Sequence, residues 1–483
     1  MTAKERLLGE APIGRLLAKM SVPAMIAMLV NALYNLVDTI FVGRGVGPLG
    51  IAGLTISFPL QIFVMAVAMM VGIGSASVVS RALGARDKDR AADAAGTAIG
   101  LAFILSVVVV VVAYAFLDPM LVLFGATPDI LPYAREYLET VLIGTVFLSM
   151  AMSSNNVIRA EGQAKWAMTV MVVGAGANIV LDPIFIFGLG MGIRGAALAT
   201  VIGQGLAFVV AMSFFLSKKS ALPLRLTSLL PRPRVLRQIL PLGIPAFVRQ
   251  VGGTILAVLV NNALRAHGGD DAELYIASFG TINRLLIFAL MPLLGIAQGF
   301  QPIAGYNFGA GQFSRVREVL KKAAGASTII AAFFFLLFML IPGVLLQAFT
   351  DDARLLEIGR EVMRVIVLVV PLVGFQVVGA TYFQALGKAI PAFFLSLSRQ
   401  VIFLIPLIAT LPSILGVRGV WISFPIADVL AALVTGLWLA YSIRRMPRQD
   451  RPVEEAAGSD IGVPASGSGP AAPSPAPALA PDE

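Results

Sequence analysis

The stretch "NALYNLVDTIFVG", Asn31 to Gly43, is an apolar segment of helix length that carries Asn31, Asn35 and Asp38. The carboxylate needs a reason to be there. An ionisable side chain at the centre of a membrane helix costs roughly 2.5–3.5 kcal/mol on insertion scales, and such residues mark ion and substrate pathways. The surrounding chain shows that the helix is a membrane helix. Of 483 residues, 58% are hydrophobic and only 13% are charged, with a mean hydropathy of +0.88. A soluble protein of this length would have roughly a quarter of its residues charged.

Apolar runs of about 20 residues mark spanning helices. Twelve are read, centred near residues 30, 65, 105, 145, 175, 205, 250, 290, 330, 370, 400 and 430. The fold class is therefore all-α integral membrane. The linkers alternate in charge. One set, including the N-terminus, "SRALGARDKDR", "SKKSALPLRLTSLLPRPRVLR" and "RRMPRQDR", holds 25 of the 36 Lys and Arg. By the positive-inside rule this set is cytoplasmic. Both termini are then inside, which requires an even number of spans, and the implied location is the inner (plasma) membrane. The net charge of +9 serves orientation and anionic lipid, not nucleic acid. The charged start of the chain does not read as a cleavable signal peptide.

The halves repeat at a nearly constant offset, as parallel-repeat transporters do. "SVPA" at 21–24 matches "GIPA" at 243–246, "LGA" at 83–85 matches "FGA" at 308–310, and "GIRGAA" at 192 matches "GVRGVW" at 416. Each repeat holds six helices, an even number, so the copies share one orientation about an axis along the membrane normal. The units are residues 14–217, a cytoplasmic linker at 218–234, residues 235–445, and a Pro/Ala/Ser/Gly tail at 449–483 that cannot bury a core.

The repeat separates scaffold from site. Gly192/Gly195 and Gly416/Gly419 recur and are read as tight turns. Asp38 does not recur, because its counterpart falls near Val260–Asn261, and Asp182 falls opposite Pro406. Asn178 and Asp182 lie four residues apart, on one helix face. Pro183 deprives the Ile179 carbonyl of its usual partner and is expected to kink the helix. A freed carbonyl, an amide oxygen and carboxylates are hard oxygen ligands suited to Na⁺ or to a held proton, and the Thr200 hydroxyl adds to them. The competing reading makes these residues inter-helix glue. Asp428 and Arg399 read as a structural ion pair.

Asn35, Gln61, Met65, Asn155, Asn156, Gln204, Arg284 and Gln298 are candidate lining for a substrate cavity. Met and Phe suit adaptable, promiscuous binding. Cys is absent and His267 is the single histidine, which excludes thiolate metal sites and disulfides. No Walker A sequence and no catalytic constellation is present, so the chain reads as neither an ATP-driven pump nor an enzyme, and no cofactor beyond a coupling H⁺ or Na⁺ is expected.

The pattern resembles the MATE (multidrug and toxic compound extrusion) family from about residue 14 to 445. The resemblance is carried by "NALYNLVDTIFVG", "RAEGQ", "ANIVLDPIFIFGLGMGIRGAALAT", "GIAQGFQPIAGYNFGAG" and "FQALGK". The "QPIAGYNFGAG" segment is similar to the bacterial MepA-like subgroup. The resemblance implies two six-helix bundles in a V about a central cleft, and export of cationic or amphipathic drug-like compounds in exchange for H⁺ or Na⁺. It also implies an N-lobe cation site at Asp38, Asn178, Asp182 and Thr200. Another branch carries acids in the C-lobe, and those are missing here. The alternative is a flippase or exporter of a lipid-linked or polyanionic substrate, whose cavity would be strongly basic. A channel or receptor would not need the repeat. A monomer suffices for the mechanism.

Overall fold

The computed structural model describes residues 3–217, 219–222 and 226–451. Most of the tail read from residue 449 onward therefore lies outside the described residues. A short helix α1 (Ala3–Glu10) precedes seven helices of the first repeat: α2 (Ile13–Gly45), α3 (Pro48–Gly84), α4 (Lys88–Ala115), α5 (Leu117–Leu123), α6 (Leu131–Ala160), α7 (Ala164–Pro183) and α8 (Gly192–Leu216). The second repeat follows the same order: α9 (Pro233–His267), α10 (Ala272–Gly309), α11 (Phe313–Leu340), α12 (Pro342–Gln347), α13 (Ala353–Val367), α14 (Val370–Ala385), α15 (Ala389–Leu397), α16 (Ile405–Leu415) and α17 (Val417–Arg445).

Among the described residues, eleven helices are long and apolar enough to cross a membrane, counting α15 and α16 as one, and a twelfth span is the pair α13 and α14, bent by 45°. The break falls just before Pro371, which has no N–H to bond the carbonyl of Val367, the last residue of α13. The twelve spans read from the sequence are thus present, one of them broken.

The repeat extends to irregular features. The short helices α5 and α12 occupy equivalent places. A wider π-helical stretch follows α7 at Ile184–Gly188, and another joins α15 to α16 at Ser398–Leu404. The turns read from glycine spacing recur in the backbone too: Gly192 has φ +56° and Gly416 φ +58°, a region that side chains with a Cβ seldom enter.

The halves meet at one end only. Here α3 packs on α9, and α10 packs on α2 and α3. One hydrophobic core at the basic-loop end draws side chains from both repeats, from Leu16 and Val79 to Ile303 and Leu439. At the opposite end the cores are separate. One is built from second-repeat residues between Leu256 and Ala427, and three smaller ones from first-repeat residues between Val42 and Ala197. The shared end is sealed by backbone contact. A Cβ at Gly243 would lie 1.9 Å from the Met70 carbonyl oxygen, so only glycine allows α9 and α3 to approach this closely. Gln301 donates to the Ile73 carbonyl at 3.3 Å, and Ser77 donates to that of Gln384. The result is two bundles closed at the basic end and splayed at the other.

Candidate functional site

The site forms where α2, α7 and α8 pack together. Local sequence fixes the geometry. Asn178 and Asp182 are one turn apart on α7 and lie on the same side, as their spacing requires. Pro183 ends the regular α-helix, and the chain continues in the wider π-helical form. The four residues that the sequence singles out are brought together, and all are buried: Asp38 8%, Asn178 2%, Asp182 0% and Thr200 5% exposed.

With its NH₂ turned to the carboxylate, the Asn178 amide donates to Asp182 Oδ2 at 3.1 Å. Its oxygen then accepts from the Thr200 hydroxyl at 3.2 Å. The Asp38 and Asp182 carboxyl groups lie within hydrogen-bonding reach of each other. Asp38 Oδ1 is enclosed with no donor beside it, and no lysine or arginine bonds either acid among the described residues. Two ionised carboxylates are both acceptors and repel at this separation, so the contact requires a shared proton or a cation between them. The two carboxylates are hard-oxygen donors of the type that takes a small cation, while the Asn178 amide oxygen and the Thr200 hydroxyl bond each other beside them.

Two tyrosines join the site that sequence reasoning passed over. Tyr34, one turn before Asp38, lies close to both acids. Tyr137 on α6 is buried, with its hydroxyl in reach of the Thr200 and Gln61 side chains. The signal for either was a tyrosine in an apolar helix, which suits an interfacial belt equally well.

The candidate cavity residues divide by position. Gln61 and Gln204 line a small apolar cavity between α3, α6 and α8, with Val64, Leu142 and Thr145, and Gln204 Oε1 is buried there without a donor. Met65 is half-buried on α3. Asn35 and Arg284 are exposed at the open end, and the Asn35 amide donates to the Asn31 carbonyl at 2.7 Å. Asn155 and Asn156 are buried nearer the sealed end. They spend their hydrogen bonds on Arg159, on the Ala167 carbonyl at 2.6 Å and on the Met152 carbonyl at 2.9 Å. Gln298 is half-buried above the seal, its Oε1 without a donor. In the second bundle Arg399 Nε donates to Asp428 Oδ1 at 2.5 Å, so the expected ion pair is made. No cluster of three or more His, Cys, Asp or Glu that would hold a metal occurs among the described residues.

Two parallel six-span bundles around a cleft that opens at one end, with a buried anionic pocket in one bundle, define a multi-pass membrane transporter. The particular family follows from comparison with known proteins. Residues 23–184 and 251–410 match the MatE family, and the chain belongs to it. Among curated proteins it is 26% identical over 442 residues to the multidrug export protein MepA of Staphylococcus haemolyticus (strain JCSC1435), covering 92% of this chain and 96% of that one. It is similar to a solved multidrug resistance MATE family transporter of the MOP superfamily in its outward-facing conformation, at 28% identity and a TM-score of 0.86, covering 93% of this chain and all of that one. It is also similar to the MATE multidrug transporter DinF-BH, solved in complex with R6G, at 43% identity and a TM-score of 0.82, covering 88% and 95% of the two chains.

Proposed function

We propose that the chain is a secondary active multidrug exporter of the plasma membrane. It exchanges cationic or amphipathic organic compounds for H⁺ or Na⁺ by alternating access, and the coupling ion is held by Asp38, Asn178, Asp182 and Thr200. The observation that carries the reading is the contact between two buried acids of different helices in the first bundle, without a basic partner. The second bundle has a neutralised Arg399–Asp428 pair instead. Its in-helix arginines are too few for the cavity of a polyanion flippase.

The basic loops lie on the cytoplasmic side by the positive-inside rule, with both termini there. The splayed end then faces outward. From that side a proton or Na⁺ enters the pocket and neutralises the acid pair. This removes the attraction that held a substrate cation at the cleft wall, and the substrate leaves. The bundles rock about the glycine-packed seal, and the ion is released to the cytoplasm. The ion drives the cycle only because the two states bind it with different affinity.

The test is drug efflux from proteoliposomes under separately imposed Na⁺ and pH gradients, with Asp38→Asn and Asp182→Asn alongside the parent. One gradient is expected to drive efflux in the parent and neither in the variants, at equal reconstituted protein. Normal transport by either variant would overturn the assignment.

A further inference from the structure

We infer that Arg159 is an electrostatic plug: its guanidinium closes the inner end of a polar seam through the first bundle, so that the coupling ion at the acid pair does not leak inward without substrate. The inference rests on the reading of Asp38 and Asp182 as the ion site.

The seam runs between α3 and α6. Thr145, Ser149, Met152, Asn156 and Arg159 recur at alternating steps of four and three, which keeps them on one face of α6. The four polar members are all buried. Two contacts show what this face meets. Thr145 and Gln61 line the same cavity, of about 20 Å³, which has room for one water-sized particle. Eleven residues on along each helix, a Cβ at Gly72 would lie 2.5 Å from Asn156 Nδ2. The two helices therefore run parallel in one register, and the face stays against α3 for three turns.

The outer end of the seam begins at the ion site. Tyr137 is in reach of Gln61 and of Thr200, and Thr200 bonds Asn178. Gln204, one turn beyond Thr200 on α8, also lines the cavity. Its Oε1 is buried without a donor and lies 2.2 Å from where a Cβ at Gly144 would be, so α6 gives up a side chain to admit an acceptor. A buried acceptor without a donor favours water or a small cation beside it.

Polar groups thus lead from the acids towards the basic end, and an ion route left open there would dissipate the gradient that drives export. Arg159 stands in it. Its Nη1 donates to Asn155 Oδ1, and its Nη2 to Asn156 Oδ1 at 2.7 Å, so the fork is fixed across the seam by neutral acceptors. No acid pairs with it among the described residues. Glu161, two residues on, accepts instead from Ser220 Oγ at 2.8 Å and from the Ala221 N–H at 2.7 Å. Arg81, the other buried arginine of the first bundle among the described residues, turns to the second bundle: a Cβ at Gly387 would lie 2.3 Å from its Nη1. A fixed positive charge without a counter-ion, in a low dielectric, repels a second cation strongly. Arginines exclude protons and cations from pores in this way.

Proteoliposomes holding the full chain, without substrate, read the leak. An internal pH dye follows H⁺ and radiolabelled Na⁺ uptake follows Na⁺, and the arm that counts is the ion that drives efflux in the parent. The parent is expected to hold the gradient. Arg159→Met and Arg159→Gln are expected to raise the inward flux about tenfold, and Arg159→Lys, which keeps the charge but not the fork, to stay within about twofold of the parent. Arg159→Gln keeps a donor for the asparagines, so a merely structural role would spare it and spoil Arg159→Lys. A tight Arg159→Met, or equal leaks in the Lys and Gln variants, would overturn the inference. A leak that persists in Asp182→Asn/Arg159→Met would also overturn it, because the seam starts at the acids. Failure of the ion-site reading shows separately, as normal efflux by Asp38→Asn.

Discussion

At the scale of single residues, the pocket combines groups of unequal weight. Each acid supplies charge, and Asn178 and Thr200 supply dipoles that orient it. Removing a neutral partner of a charged group costs about 1.5–3 kcal/mol. Asn178→Ala is therefore expected to raise the concentration of coupling ion needed for half-maximal efflux at least tenfold while sparing maximal efflux. Thr200→Ser keeps the hydroxyl and is expected to behave as the parent, and Thr200→Val is not. Efflux rate against ion concentration in vesicles of each variant checks this, and a flat response to Asn178→Ala would remove it from the donor set. The buried pair in the second bundle makes a different case. Arg399→Met strands Asp428, which is 2% exposed, and loss of one partner of a buried pair typically costs about 3–5 kcal/mol. The single variant is expected to lose thermal stability in detergent, and Arg399→Met/Asp428→Leu to regain most of it. Equal melting of single and double variants would contradict a structural role.

At the scale of elements, glycine and proline set where helices approach and where they change form. Gly243 lets α9 touch the Met70 backbone, and a Cβ there has no room because its neighbour is main chain. Gly243→Val is expected to weaken the seal and to make cytoplasmic-side cysteines accessible to labelling that the parent protects, at normal expression. Equal protection in the variant would mean that the seal does not depend on this contact. The same elements show what the sequence carried. The acids of α2 and α7 were visible because a carboxylate in an apolar run is costly, and the turns at Gly192 and Gly416 because a repeated glycine is cheap to spot at a fixed offset. The Pro371 break was present in the letters but lies inside an uninterrupted apolar run, so the span read as one. Tyr137 was not visible, since its partners Gln61 and Thr200 come from helices distant in sequence. The π-helical stretches have no marker of their own beyond Pro183. The open end could not be read at all, because the same residues must serve both the open and the closed arrangement.

At the scale of the whole molecule, the charge asymmetry of the loops and the asymmetry of the cores fall on the same axis. The shared core lies at the basic end and the separate cores at the other, so the direction of the cleft and the direction of transport depend on one assignment: which end is cytoplasmic. If the basic end is inside, an exporter in this conformation is discharging. If it is outside, the same conformation is loading from the cytoplasm, and Asp38 would take its ion from the wrong side for antiport. The absence of native cysteine makes the assignment measurable without background. Lys165, in the first turn of α7 at the basic end, and Asp270, in the turn between α9 and α10, are both exposed and lie at opposite ends. In intact cells a membrane-impermeant maleimide is expected to label Asp270→Cys and not Lys165→Cys, and in inside-out vesicles the order is expected to reverse. Labelling of Lys165→Cys in intact cells would invert the topology, and with it the side from which the coupling ion must enter the acid pair.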